Sequence, residues 1–117
     1  MSNAIERTFA RGFDFEIFSF QALKEAYENA TDESDQEHVT PFIWRNTLGN
    51  IELYNVKQET DNSRFRITVD TAEDFELIKQ LIEKYHAADL SYNEIENILI
   101  QHPELTELNA RIAQKKV

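Results

Sequence analysis

The segment Arg64-Phe65-Arg66-Ile67-Thr68-Val69-Asp70-Thr71-Ala72-Glu73-Asp74 constrains the fold of this chain most, because two periodicities meet in it. Phe65, Ile67 and Val69 alternate with Arg64, Arg66 and Thr68, the period-two pattern of a half-buried strand. Thr71 then stands three residues before Asp74, the spacing of a helix capping box, and Phe75, Ile78, Leu81, Ile82 and Tyr85 follow as the buried side of a helix. A strand running directly into a helix N-terminus is a building unit of α/β sheets, and ligands gather at the carboxyl edge of such sheets. Asp70 is placed at that edge.

The rest of the chain supplies the partners for this unit. Residues 13–20 alternate at Phe13, Phe15 and Ile17 as a strand does, and Ser19 is positioned to cap a helix over 20–30 with Leu23, Ala26 and Tyr27 on one stripe. A polar loop, Thr31 to Asp35, precedes a second helix around 35–45 that buries Val39, Phe42 and Ile43. Pro41 within it is either a first-turn proline or a break. Ile51, Leu53 and Val56 predict a further strand. Ser91-Tyr92-Asn93-Glu94 is a second capping box, leading Ile95, Ile98 and Leu99 inward, and Pro103 opens a last helix through Leu105, Leu108 and Ile112 that Lys115-Lys116 suits as a C-terminus. About three strands with flanking helices in mixed order predict an α/β (α+β) architecture, and 117 residues predict a single domain, 1–117.

Composition narrows the function. The formal net charge is −10, from 22 acidic and 12 basic residues, a field that repels phosphate backbones and anionic lipid. Nucleic-acid and membrane partners are therefore not expected. A small phosphorylated ligand is compatible with that charge, since one carboxylate-bound divalent cation screens phosphates locally. The absence of cysteine excludes disulfides, thiolate metal sites and thiol nucleophiles, and with no apolar signal or spanning segment it points to the cytoplasm. No Ser-His-Asp, Cys-His or paired-His spacing is present.

Asp70 is the sharpest candidate for chemistry. Its carboxylate supplies the hard oxygen that magnesium takes in ones and twos beside phosphate and water, or alternatively it caps the free N–H groups of the following helix. Asp74 reads as the capping-box residue.

Three segments, in order, carry a family resemblance. Val69-Asp70-Thr71-Ala72-Glu73-Asp74 is similar to the Val-Asp-Thr-Pro-Glu-Asp stretch of the cytidylyltransferases that activate sugar acids, with Ala72 in place of proline. Arg7-Thr8-Phe9-Ala10-Arg11-Gly12-Phe13-Asp14-Phe15-Glu16 resembles the family's Arg-Thr-Phe-Pro-Arg-Gly-Leu-Asp-Val-Glu, and Glu37-His38-Val39-Thr40-Pro41-Phe42-Ile43 resembles its Glu-His-Val-Thr-Pro-Tyr-Ile. His102-Pro103-Glu104-Leu105 through Asn109-Ala110 fits as well.

The resemblance, to the group that includes the CMP-Kdo, acylneuraminate and spore coat polysaccharide enzymes, implies a nucleotide-diphospho-sugar transferase-like fold. It also implies transfer of CMP from CTP to a sugar acid with Mg2+. It carries Asp70 over as a metal carboxylate and Arg7, Arg11, Asp14, Glu37, His38 and Thr40 as substrate-binding residues. Each also has a plainer reading: Arg7 and Arg11 as solvated charges, Asp14 as a strand-end cap, His38 as an exposed helix residue.

With only Gly12 and Gly49 there is no glycine-rich triphosphate loop. The chain is therefore expected to be the C-terminal segment, without the nucleotide-binding half and inactive alone. The alternative is a non-catalytic dimerisation or interaction module. Apolar side chains such as Phe15, Phe18 and Phe20, left without partners, predict a homodimer.

Overall fold

The computed structural model describes residues 1–46 and 48–112, and the Lys115-Lys116 helix end lies outside them. These residues form two compact units, one from Met1–Glu6 with Phe15–Lys57, the other from Arg7–Asp14 with residues 58–112.

In the first unit, α1 (Phe20–Asn29) starts where Ser19 accepts the Ala22 N–H at 3.1 Å. The expected helix over 35–45 is two short helices, α2 (Glu33–His38) and α3 (Pro41–Arg45), because Pro41 occupies the first turn of α3 and cannot continue α2. Ala26, Phe42 and Ile43 form the buried core of this unit, with Ala22, Ala30 and Ile51 against it. Val39, expected inside, is instead exposed: it is the hinge between the two helices, at φ 68°, ψ −52°. Asp35, on α2, is buried and accepts from Arg45 at the end of α3 at 2.9 Å.

The second unit holds α4 (Ala72–Tyr85), a 3-10 turn at Ala87–Asp89, α5 (Tyr92–Gln101) and α6 (Pro103–Thr106). Both capping boxes form as their spacing predicts, Thr71 with Asp74 and Ser91 with Glu94. Ala10, Phe65, Leu77, Leu81, Ala87, Leu99 and Leu105 make the core. The buried stripe of α4 is Asp74, Leu77 and Leu81, whereas Phe75 and Ile82, expected inward, are exposed. The cause is Asp74, whose carboxylate turns inward to meet Arg66 and sets the roll of the helix.

The three expected strands are, among the described residues, extended segments joined by isolated bridges. Ser2 lies between two neighbours, antiparallel to Glu16 and parallel to Asn55, and Arg11 pairs in parallel with Arg66. A ladder needs successive bridges and a continuous buried face. Ile17, Leu53 and Val69 are all exposed here, so each segment pairs at one point only. Among the described residues no helix is long and apolar enough to cross a membrane.

Candidate functional site

The site of the second unit is built on a buried carboxylate. Asp74 is fully buried and accepts five hydrogen bonds. Its Oδ1 takes Arg66 Nε at 3.0 Å and Asn109 Nδ2 at 2.8 Å. Its Oδ2 takes Arg66 Nη2 at 3.0 Å and the backbone N–H groups of Asp70 and Thr71 at 3.0 and 3.2 Å. The Arg66 hydrogen bonds hold its carboxyl well below the usual carboxylate range against the cost of burial. The same contacts raise the Arg66 guanidinium, also buried. Arg66 Nη2 further donates to Asp70 Oδ2 at 3.0 Å, and the Asp70 side chain is 70% exposed. Asp70 therefore stands one residue before the N-cap Thr71 and open to solvent, whereas the strand end and sheet edge expected to carry it are not formed among the described residues. Of its neighbours expected to be buried, Phe65 is buried, Ile67 half-buried and Val69 exposed.

The Arg7–Asp14 loop is fastened beside this cluster by backbone geometry. Arg11 N–H donates to the Phe65 carbonyl at 2.9 Å, and Ile67 N–H donates to the Arg11 carbonyl at 2.7 Å. Gly12, at φ 111°, passes so close that a Cβ would stand 2.2 Å from the Ile67 carbonyl oxygen. On the other side the Tyr92 hydroxyl donates to Glu96 and accepts the Ala10 N–H at 3.0 Å, while its ring meets Phe13 edge-on at 4.8 Å. Burial and the Glu96 carboxylate push the Tyr92 hydroxyl up.

Within the loop, Arg7 Nη1 donates to both oxygens of Asp14 at 2.9 Å. Arg11 makes no ion pair among the described residues. Burial first, then the charges of Arg7 and Arg66, push its guanidinium down, with Asp14 opposing. Arg7, Arg11, Asp14 and Arg66 are thus one electrostatic neighbourhood.

Glu37, His38 and Thr40 belong to the first unit. Glu37 and His38 are exposed, 3.8 Å apart. Thr40 N–H donates to the His38 carbonyl at 2.7 Å across Val39, closing a γ-turn of the strained kind. A β-branched residue at positive φ is costly, and such outliers are held where the surrounding structure imposes them.

No protein-family model matches the chain. It is 30% identical over 105 residues to an uncharacterized protein of Methanocaldococcus jannaschii, a match spanning 89% of this chain and 43% of that protein. The spore coat polysaccharide biosynthesis protein SpsF of Bacillus subtilis is 31% identical over 91 residues, 76% of this chain and 35% of that protein. A solved cytidylyltransferase structure from Leptospira borgpetersenii matches with a TM-score of 0.82 and 28% identity, covering 99% of this chain and 46% of the other. The chain is sugar-acid cytidylyltransferase-like. It spans less than half the length of each of these relatives.

For a cytidylyltransferase-like chain the question at Asp70 is whether a magnesium ion fits. Among the described residues no group of three or more His, Cys, Asp or Glu gathers as a cage. Magnesium does not need one, since it keeps water and phosphate oxygens beside one or two carboxylates. Among the described residues Arg66 pairs with both Asp74 and Asp70, one positive charge against two negative, and the exposed carboxylate is that of Asp70. The donor set fits.

Period-two alternation places Arg66, Thr68 and Asp70 on one face, a signal in the sequence for Arg66. Asn109 lies in the 102–110 stretch of the resemblance, but no local pattern predicts that it reaches Asp74 across 35 residues.

Proposed function

We propose that this chain is the C-terminal region of a cytoplasmic cytidylyltransferase that moves CMP from CTP to a sugar acid in surface or spore-coat polysaccharide biosynthesis. The observation that carries the reading is the match to a cytidylyltransferase across 99% of the chain at a TM-score of 0.82. In this reading Asp70 is a carboxylate for Mg2+, which when bound neutralises charge developing on the phosphates. Arg11, which makes no ion pair among the described residues, receives an anionic group of the substrate. Arg7 and Asp14 orient that loop through their ion pair, in which Nη1 alone meets both carboxylate oxygens. Glu37, His38 and Thr40, in the first unit, are the residues that the resemblance assigns to binding the acceptor. The glycine-rich cradle for the triphosphate is assigned to a part of the enzyme outside these 117 residues, so the chain alone is inactive.

Two measurements test this. Pyrophosphate release from CTP and a sugar acid by the isolated chain is expected to equal the no-protein control, and Asp70→Ala-sensitive release would overturn the assignment of inactivity. Titration with Kdo or N-acetylneuraminate, followed by amide NMR, is expected to shift Arg7, Arg11 and Asp14. A spectrum unmoved by either acid would sink the acceptor-site reading.

A second reading, a non-catalytic dimerisation or interaction module, is favoured by the solvent-facing aromatic stripe of α1, where Phe20 is 77% and Tyr27 88% exposed. The NMR titration separates the two, since a pure interaction module has no reason to bind a sugar acid.

A further inference from the structure

An exposed aspartate on its own samples several rotamers, and a metal ligand that must first be ordered binds weakly. Asp70 is exposed, yet it is tied at two points to buried side chains. Its backbone N–H is held by Asp74 Oδ2 at 3.0 Å, and its Oδ2 by Arg66 Nη2 at 3.0 Å. Arg66 is in turn locked by its two bonds to Asp74, and Asn109 closes the assembly by donating to Asp74 Oδ1 at 2.8 Å and to the Arg66 carbonyl at 2.9 Å. The Arg66 N–H engages one oxygen of Asp70, and no hydrogen bond or ion pair to Oδ1 is present among the described residues.

We infer that Arg66 is a positioning residue for cation binding: the buried Arg66–Asp74–Asn109 cluster fixes the Asp70 carboxylate in one orientation, with Oδ1 offered to a divalent cation. This rests on the proposed role of Asp70 as a metal carboxylate, and it assigns to Arg66 a duty distinct from holding α4 in place. Arg66 does not touch the cation. A lysine in its place keeps the charge but not the planar fork that spans Asp74 and Asp70 together.

The test uses the full 117-residue chain and Mn2+ as the probe, with binding read from the electron paramagnetic resonance of the free ion. Asp70→Asn is expected to abolish the site. Arg66→Lys is expected to weaken Mn2+ binding roughly tenfold or more, the usual effect of removing a group that orients a metal ligand. Folding of each variant is checked by circular dichroism. Binding lost in Asp70→Asn but unchanged in folded Arg66→Lys would overturn the inference and leave the metal role of Asp70 standing. Binding unchanged in Asp70→Asn would instead overturn the metal role itself.

Three-bond couplings of the Asp70 β-protons in the native chain, without metal, give a reading that needs no variant. A single χ1 rotamer is expected, and averaged couplings would refute the positioning role whether or not Arg66→Lys folds.

Discussion

Gly12 shows how one residue can place a loop. A side chain there faces two obstacles: the backbone lies at φ 111°, and a Cβ would come within 2.2 Å of the Ile67 carbonyl oxygen and 2.7 Å of its carbon. Backbone atoms cannot swing aside as a flexible side chain does, so the loop or the Ile67 segment must shift. The hydrogen bonds that hold Arg11 to Phe65 and Ile67 are the first to suffer. Gly12→Ala is therefore expected to cost about 3 kcal/mol, in the range of substitutions at strained backbone positions. Urea unfolding measures it, and a loss below about 0.5 kcal/mol, the scale of an ordinary surface substitution, would mean that the loop rearranges freely. The sequence shows a glycine between Arg11 and Phe13. The distant carbonyl that demands it is not visible there.

At the scale of elements, α4 is held by the charge at its third residue. Asp74 completes the capping box and neutralises Arg66 in the same step, so Asp74→Asn keeps the shape while leaving a buried guanidinium short of its counter-charge. Breaking one side of a buried pair costs about 3–5 kcal/mol, and that is the destabilisation expected at pH 7. Because folding lowers the pKa of Asp74 below its unfolded value of about 3.9, its contribution is fully present above that pH. It is lost as pH falls further toward the folded value. The stability gap between native chain and Asp74→Asn should thus be constant from pH 7 to about 5 and shrink below about 4. A gap independent of pH down to acid unfolding would contradict the assignment.

The same element shows what was legible in the sequence. Capping boxes at 71–74 and 91–94 and the cap at Ser19 are local, made within three or four residues, and all three form. The roll of α4 depended on Arg66 eight residues away and Asn109 thirty-five away, so Phe75 and Ile82 were assigned to the wrong side. Alternation predicts strands at 13–20, 51–56 and 64–69, yet among the described residues these segments meet their neighbours only at isolated bridges. A ladder is decided by whichever chain lies alongside, which alternation does not reveal. Asp70 stands out in the sequence because its position before a capped helix is itself a local pattern.

At the scale of the molecule, the unspent feature is the apolar stripe of α1. Phe20, Leu23 and Tyr27 recur at i, i+3 and i+7, the spacing of a helix face that packs, and a cleft of about 560 Å³ runs along it between Leu23, Ala26, Ala30 and Val39. Phe20 is 77%, Tyr27 88% and Val39 48% exposed. An aromatic side chain buries roughly 150–250 Å² when covered, so two of them from each of two copies supply a large part of the roughly 1,200 Å² that a stable interface needs. A helix stripe can be self-complementary about a two-fold axis, which closes the assembly at two copies rather than extending it. The chain is therefore expected to form a homodimer centred on α1, with a mass by light scattering of twice 13.7 kDa at micromolar concentration. Phe20→Ser combined with Tyr27→Ser should return it to the monomer without loss of helix content, since neither side chain belongs to the core of Ala26, Phe42 and Ile43. A native chain that scatters as a monomer across that range would assign the stripe to a different partner. A dimer that survives both substitutions would move the interface to another surface.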